Sequence, residues 1–296
     1  MPDEILERLA SAYLPLMLGV LALAMLAEGV RARRALQHSV RRRWFASATL
    51  LVIDQVAVRV ALPLTLVGAA LLAQSRGWGL FNVAEVSTAV AIATAMLAMD
   101  AVTYAVHRLE HRVPLLWRLH RLHHSDPDLD VTTQFRFHPL EALLQGGAAL
   151  GVVLALGAPP LAPLAYALLH AIVGPLSHIN FAPPAILDRG LRWIVVTPDM
   201  HRIHHSTDAG DYGTNYAAVF SVWDRLFGTY RASPAAGHAS VKFGLESRTP
   251  EQALSLTRML LEPFLAERPA DLLSELRTPV PDPAVQASSP ARESRA

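Results

Sequence analysis

Residues 142–187 read ALLQGGAALGVVLALGAPPLAPLAYALLHAIVGPLSHINFAPPAIL, without one Asp, Glu, Lys or Arg. Gly157, Pro159, Pro160 and Pro163 interrupt this run near its middle. The pattern predicts a helical hairpin with arms over about 142–157 and 161–177. At 1.5 Å per residue each arm is roughly 24 Å long, a little short of the ~30 Å hydrocarbon core of a bilayer. The hairpin either spans the bilayer or dips into it. Both readings return its two ends to the same side.

Working towards the N-terminus, three more apolar stretches precede it. Leu9–Ala27 is uncharged and about the ~20 residues that a spanning helix needs. Asp3, Glu4 and Glu7 come before it, and Arg31, Arg33, Arg34, Arg41, Arg42 and Arg43 come after it. The positive-inside rule places that basic segment in the cytoplasm. A signal peptide would instead want a basic start and a shorter apolar core. The second stretch, about Ser47–Ala73, contains Asp54 and Arg59, which in a span face the bundle interior or reach for the interface. The third, about Val86–Val106, ends at a histidine pair. Three crossings and then a hairpin bring residues 107–138, 178 and 201–205 to one face. An odd number of crossings between residues 138 and 178 would split them across the bilayer.

The predicted fold class is therefore all-α: a polytopic membrane helix bundle of about three spanning helices plus a hairpin, with a cytoplasmic helical cap. The integral-membrane domain is expected over 1–275, with its histidine-bearing core at about 100–230. Residues 188–250 read as cytoplasmic cap, and Ala253–Ala266 as an amphipathic helix ended near Pro263. The Pro-, Ser- and Ala-rich segment 276–296 is expected to be a disordered tail.

Composition agrees with this class. Of 296 residues, 52% are apolar and 17% charged, and mean hydropathy is +0.29. Soluble domains carry roughly 25% charged residues, so much of this surface is expected to face lipid. A net charge of +1 argues against nucleic acid as a partner. With no cysteine, disulfides, thiolate metal sites and thiol nucleophiles are excluded, and any metal must be held by nitrogen and oxygen.

Ten of the 13 histidines form a spaced set: His107 and His111 in HRLEH; His120, His123 and His124 in HRLHH; His138 in FRFHPLE; His178 in SHIN; and His201, His204 and His205 in HRIHH. Imidazole is the commonest metal-binding side chain. Residues three and four apart share a helix face, so each cluster aims several nitrogens at one point. One ion cannot use so many ligands, and the set implies two ions close together. His138 precedes a proline, which favours an extended conformation there and lets Pro139 open the next helix. Taken alone, His138 and His178 are ordinary structural histidines. Glu141 is close enough to His138 to be a hydrogen-bond acceptor behind it. Asp100 and Tyr104 share the stripe of His107. Asp100 either orients a ligand through a hydrogen bond, or pairs with Arg59 or caps local polarity. His170, in the second hairpin arm, either lines a substrate cavity or is a buried histidine with a local partner.

Taken together, DAVTYAVHRLEH, LWRLHRLHHS, FRFHPLE, HIN, TPDMHRIHHS and NYAAVFSVWDRLFGTY, spread over about Asp100–Tyr230, resemble the fatty acid hydroxylase/sterol desaturase superfamily of membrane-bound non-haem di-iron enzymes. The family pattern often has glycine after the Asn-Tyr pair, where this chain has Ala217. That departure touches backbone shape near the site and no ligand. The resemblance implies two metal ions held by His107, His111, His120, His123, His124, His138, His178, His201, His204 and His205, of which not every one need bind directly: some could hold a bridging water or support a ligand from behind. It favours iron, although imidazole also suits zinc, copper and nickel. It implies O2 as co-substrate, a membrane lipid as substrate, and hydroxylation or desaturation of a C–H bond. No flavin, haem or iron–sulfur segment is visible, so electrons are expected from a separate electron-transfer protein. Arg31–Arg43 or Arg118 and Arg121 offer a basic surface for it, although topology and lipid headgroups also account for those arginines.

Other readings stand beside this one. The same scaffold could cleave an ether lipid or remove an aldehyde carbon. A metal transporter would place its ligands near the bilayer midplane, whereas these lie beyond the helix ends. A non-catalytic member holding structural zinc would keep the same ten histidines.

Overall fold

A computed structural model describes residues 3–265, apart from 209, 235–236 and 246. The tail expected at 276–296, and with it the boundary at 275, lies outside the described residues. The regular structure of the described residues is entirely helical. They contain no strand, only one antiparallel bridge between Val195 and Phe220.

Among the described residues, five segments are long and apolar enough to cross a membrane. The first is α1 (Asp3–Arg31), which packs along the last span. It is tied into the bundle near its end, where the Glu28 carboxylate accepts the backbone N–H groups of Val131 and Asn180. The second segment is not one helix. It divides into α2 (Val40–Ala61), α3 (Leu66–Arg76) and the short α4 (Leu80–Val83). Pro63 supplies no backbone N–H and excludes Leu62 from continuing the helix. Thr65 then caps α3 by accepting the Gly68 N–H, and Gly77 closes it in the left-handed conformation that glycine adopts without penalty. The third is α5 (Thr88–Glu110), which stops where His111 and the following turn lead into α6 (Pro114–His124).

The hairpin is α7 (Pro139–Leu156) and α8 (Leu161–His178), within one to three residues of the sequence reading. Gly157 caps α7, and at that far end of the bundle it touches Gly79: a Cβ on Gly79 would lie 2.0 Å from the Gly157 nitrogen. The opposite end gathers the C-terminus of α5, all of α6, the start of α7 and the end of α8. Beyond α8 come α9 (Ala185–Leu191), α10 (Pro198–His204) and α11 (Val222–Leu226), then α12 (Pro250–Ala253) and α13 (Leu256–Leu261). The amphipathic helix expected over 253–266 is thus broken. Ser255 starts a new helix by capping Arg258 N–H, and Glu262–Phe264 is a 3-10 turn around Pro263.

Small side chains let the spans approach closely. Ala69, Ala70, Ala73, Ala95, Ala158 and Ala162 are all buried, with Met99, Tyr104, Val153 and Tyr166 filling the space between them. Lipid offers no hydrophobic drive for helix association, so close van der Waals packing by small residues has to supply it. Leu18, Leu23, Leu26, Val52, Val56 and Val60 point outward instead. This is an inverted surface, as expected of helices solvated by acyl chains.

The basic segment after α1 is folded into the histidine-bearing end. Arg33 pairs with Asp199, and Arg34 donates to the Val241 carbonyl. Arg43 is fully buried, donating to both oxygens of Asp126 at 2.8 Å and to Asp130 at 2.5 Å. Burial pushes Asp126 up, but Arg43 and Arg136 outweigh it and bring its carboxyl down to about 2. This network locks the start of α2 to the loop that follows His124. The expectation of a free basic docking surface is therefore corrected in part. Arg33, Arg34 and Arg43 are engaged internally, Arg118 donates to the Leu265 carbonyl, and Arg121 pairs with Glu262; Arg31, Arg41 and Arg42 are exposed.

Candidate metal centre

Nine of the ten singled-out histidines converge. His107, His111, His120, His124 and His204 bring one nitrogen each to within 4.8 Å of one another, and His123, His178, His201 and His205 do the same beside them. All nine are buried. The two H-x-x-H-H boxes divide between the groups in opposite senses. Box 120–124 gives its i, i+4 pair to the first group and His123 to the second. Box 201–205 gives its i, i+4 pair to the second and His204 to the first. Each box straddles both groups because i+3 lies on the far flank of the arc that i and i+4 share. His124 and His205 meet at the boundary, with ring centroids 4.5 Å apart.

Backbone carbonyls behind the rings decide which nitrogen faces inward. His107 Nδ1 donates to the Tyr216 carbonyl at 2.7 Å, His204 Nδ1 to Thr214 at 2.9 Å and His178 Nδ1 to Gly174 at 2.9 Å. A carbonyl only accepts, so each Nε2 carries a lone pair towards the centre. His120 is set the same way by a carboxylate: Nδ1 lies 2.7 Å from Glu141 Oε1 and 3.6 Å from Glu110, and Gln145 in turn donates to Glu110.

The inward nitrogens fit a cation. His107 Nε2 and His120 Nε2, both acceptors, face each other at 3.1 Å. His178 Nε2 lies 2.9 Å from His201 Nε2 and 3.2 Å from His123 Nε2. Two nitrogens each about 2.1 Å from one ion and at right angles would stand about 3 Å apart. Both nitrogens of His111 and Nε2 of His204 are buried with no hydrogen-bond partner. Orphaned buried acceptors cost roughly 1–3 kcal/mol each when nothing binds them. Burial, followed by the neighbouring imidazoles, holds His111, His120, His123, His124, His201 and His205 well below the usual histidine range; burial also dominates at His204. The neutral form is the one that ligates metal.

His138 belongs to neither group. It is the N-cap of α7, extended at φ −87° and ψ 141°, with Nδ1 accepting the Leu140 N–H and Nε2 facing the Leu260 carbonyl at 3.2 Å. Both of its nitrogens are spent on protein. Its expected acceptor, Glu141, serves His120 instead. Asp100 pairs with neither a ligand nor Arg59 but caps local polarity, the remaining reading of its place in the sequence. Its carboxylate accepts the Tyr166 hydroxyl at 2.9 Å, the Phe220 N–H at 2.9 Å and the Trp223 indole N–H at 2.8 Å. Glu110 and Gln145 were missed by sequence reasoning, although Glu110 stands in plain view inside HRLEH.

A cavity of about 320 Å³ opens between the spans and ends on His107, His120, His123, His178 and His201. Its other walls include Leu66, Ala142, Pro163, Ala167 and Ala217, with Gln134, Tyr166 and His170 as polar members. His170 thus lines the cavity. Gly174 lets the Gln134 side chain lie against α8, since a Cβ there would come within 2.9 Å of the Gln134 amide nitrogen. Ala217, where glycine is common in the family pattern, is buried without positive φ, its N–H donated to Asp224 at 3.1 Å.

A multi-helix membrane-type bundle with a buried, all-imidazole centre at the end of an apolar cavity defines the class. Residues 92–229 match the fatty acid hydroxylase family model. The chain is 34% identical over 163 residues to ornithine lipid hydroxylase of Rhizobium tropici, covering 54% of this chain and 46% of that one. It is 32% identical over 142 residues to human alkylglycerol monooxygenase, covering 47% of this chain and 30% of that one. A cholesterol 25-hydroxylase-like protein of Danio rerio is 26% identical over 140 residues, covering 47% and 54% respectively. The match thus spans less than half of the first two relatives. No solved structure matches the chain.

Proposed function

We propose that this chain is an O2-dependent di-iron oxidoreductase that hydroxylates or desaturates a C–H bond of a membrane lipid. The carrying observation is the junction of the two imidazole groups with an apolar cavity between the spans. His107, His111, His120, His124 and His204 would hold one ion, and His123, His178, His201 and His205 the other. When bound, such an iron pair supplies the activation of O2 that no protein side chain provides. The chain's own residues do the rest. Carbonyls of Tyr216, Thr214 and Gly174 and the Glu141 carboxylate fix the inward nitrogens. The cavity wall excludes water and orients an acyl or ring system, and the Gln134 amide offers it a polar contact. The basic exit of α1 supports a cytoplasmic location for the centre. Electrons come from a separate protein, and the relatives' names favour a lipid hydroxylase over other chemistries.

Expression in a heterologous host followed by comparative lipidomics tests this reading, with His123→Ala as control. A lipid gaining one oxygen or losing two hydrogens only with the intact chain is the expected result. An ether-lipid cleavage product would move the chain to the alternative chemistry. An unchanged lipid profile with an iron-loaded chain would overturn the oxidase reading.

A further inference from the structure

The segment after α8, read from sequence as aqueous cap, does not stay above the spans. It runs back along one stripe of α5. The Tyr216 carbonyl meets His107; Phe227 stacks on Tyr104 at 5.3 Å between centroids; Thr229 Oγ1 lies 2.8 Å from the Tyr104 hydroxyl; and Phe220 N–H reaches Asp100. Asp100 precedes Glu110, the last residue of α5, by ten residues, which is ~15 Å along the axis. The same carboxylate holds Tyr166, twelve residues or ~18 Å before the end of α8. The backbone near Phe220 therefore lies well below the histidine end on two independent helices. A third gives the level of lipid. On α1, Leu23, Leu26 and Val30 are 69%, 63% and 79% exposed, up to the height where Glu28 meets Asn180.

The segment also has an inverted surface. Residues 194–196 and 219–221 are joined by backbone bonds (Val196 N–H to Val219, Ser221 N–H to Ile194), and the polar groups turn inward. Asp224 accepts the N–H groups of Tyr216 and Ala217 and the Thr229 hydroxyl. Arg192 pairs with Asp188, and Arg225 is sandwiched between Trp193 and Tyr230 at 4.5 and 4.0 Å while donating to the Arg192 carbonyl. Outward go Ile186, Trp193, Ile194 and Leu226, 79%, 69%, 65% and 64% exposed. Internal satisfaction of polar backbone and charge with apolar side chains outside is what hydrocarbon demands of non-helical chain. A water-facing cap of the same size would not present so large an apolar patch.

We propose that residues 185–196 and 216–228 form a re-entrant element immersed in one leaflet of the bilayer, with its outer face against acyl chains. Arg189, exposed on α9, reaches from its edge to the headgroups. Because Ala217 and Ala218 line the cavity, the element is also the wall between that cavity and lipid. The proposal is independent of the chemistry at the histidines.

The cysteine-free chain allows a direct test. Single substitutions Ile186→Cys, Ile194→Cys and Leu226→Cys carry a nitroxide label in the full chain, reconstituted in phosphatidylcholine/phosphatidylglycerol vesicles. Leu97→Cys on α5 is the lipid reference, and Glu251→Cys on α12 the water reference. Collision rates with oxygen and with a water-soluble nickel chelate are read by electron paramagnetic resonance. The three reporters are expected to match Leu97→Cys, with nickel collisions several-fold below those at Glu251→Cys. Nickel collisions equal to those at Glu251→Cys would overturn the proposal and leave the face to water or to a protein partner. Label-free, acyl-brominated lipid should quench a tryptophan component that Trp193→Phe removes; no difference between the two proteins would also overturn it.

Discussion

His120 Nδ1 lies 2.7 Å from Glu141 Oε1, so a carboxylate on α7 sets which nitrogen of an α6 imidazole faces the centre. Removing such a partner typically lowers metal affinity by about 10–100-fold. Glu141→Ala is expected to lose that much, and Glu141→Gln less, since an amide oxygen still accepts from Nδ1. Metal titration of the purified protein, with helicity followed by circular dichroism, checks the order. Equal affinities in all three proteins would contradict the orienting role.

His204 and His138 separate ligand from cap. His204→Ala is expected to reduce the bound metal measured by mass spectrometry. His138→Ala should leave the metal content unchanged and cost about 0.5–2 kcal/mol of stability through the lost N-cap. Metal loss in His138→Ala at full helicity would return it to the ligand set.

Acid should release the metal and loosen the fold together. His111, His120, His123, His124, His201, His204 and His205 all lie well below the ordinary histidine value in the folded protein, because burial disfavours the cation. In the unfolded chain they take up protons below pH ~6.5, whereas in the folded chain they do not until far lower. The unfolded state therefore binds more protons in that window, and stability falls as pH falls from about 7. Asp126, held at about 2 in the folded protein, adds a second loss below the ordinary aspartate value. Thermal melts of the metal-free protein in detergent from pH 7.5 to 5 should show a monotonic drop. A flat profile would contradict burial of the rings.

Arg43 is a fully buried cation between two carboxylates. Arg43→Ala leaves Asp130 without its cation and Asp126 with only the more distant Arg136, and breaking such a pair costs about 3–5 kcal/mol. The loop after His124 should loosen first, read as faster hydrogen exchange over 125–136. Unchanged exchange there would show that the loop is held by other contacts.

The parts legible in sequence were those with sharp punctuation. The hairpin was bounded closely because Gly157 and the prolines after it end one helix and admit the next. The clustering of nine histidines followed from i, i+3, i+4 spacing and an even count of crossings between residues 138 and 178. Ser47–Ala73 read as a single span because its hydropathy is continuous across the break at Pro63. His138 was illegible because a histidine before proline serves equally as ligand or cap, and only the approach of Leu260 uses its second nitrogen. The true depth of residues 216–228 depends on Asp100, whose partners are more than sixty positions away in the chain.

The final trio of rings, His201, His204 and His205, follows the five apolar segments found among the described residues. During synthesis the two imidazole groups cannot be completed until all five of those segments have left the ribosome. Capture of an ion would thereby wait for all five, and a chain truncated before His201 would lack one member of the first group and two of the second.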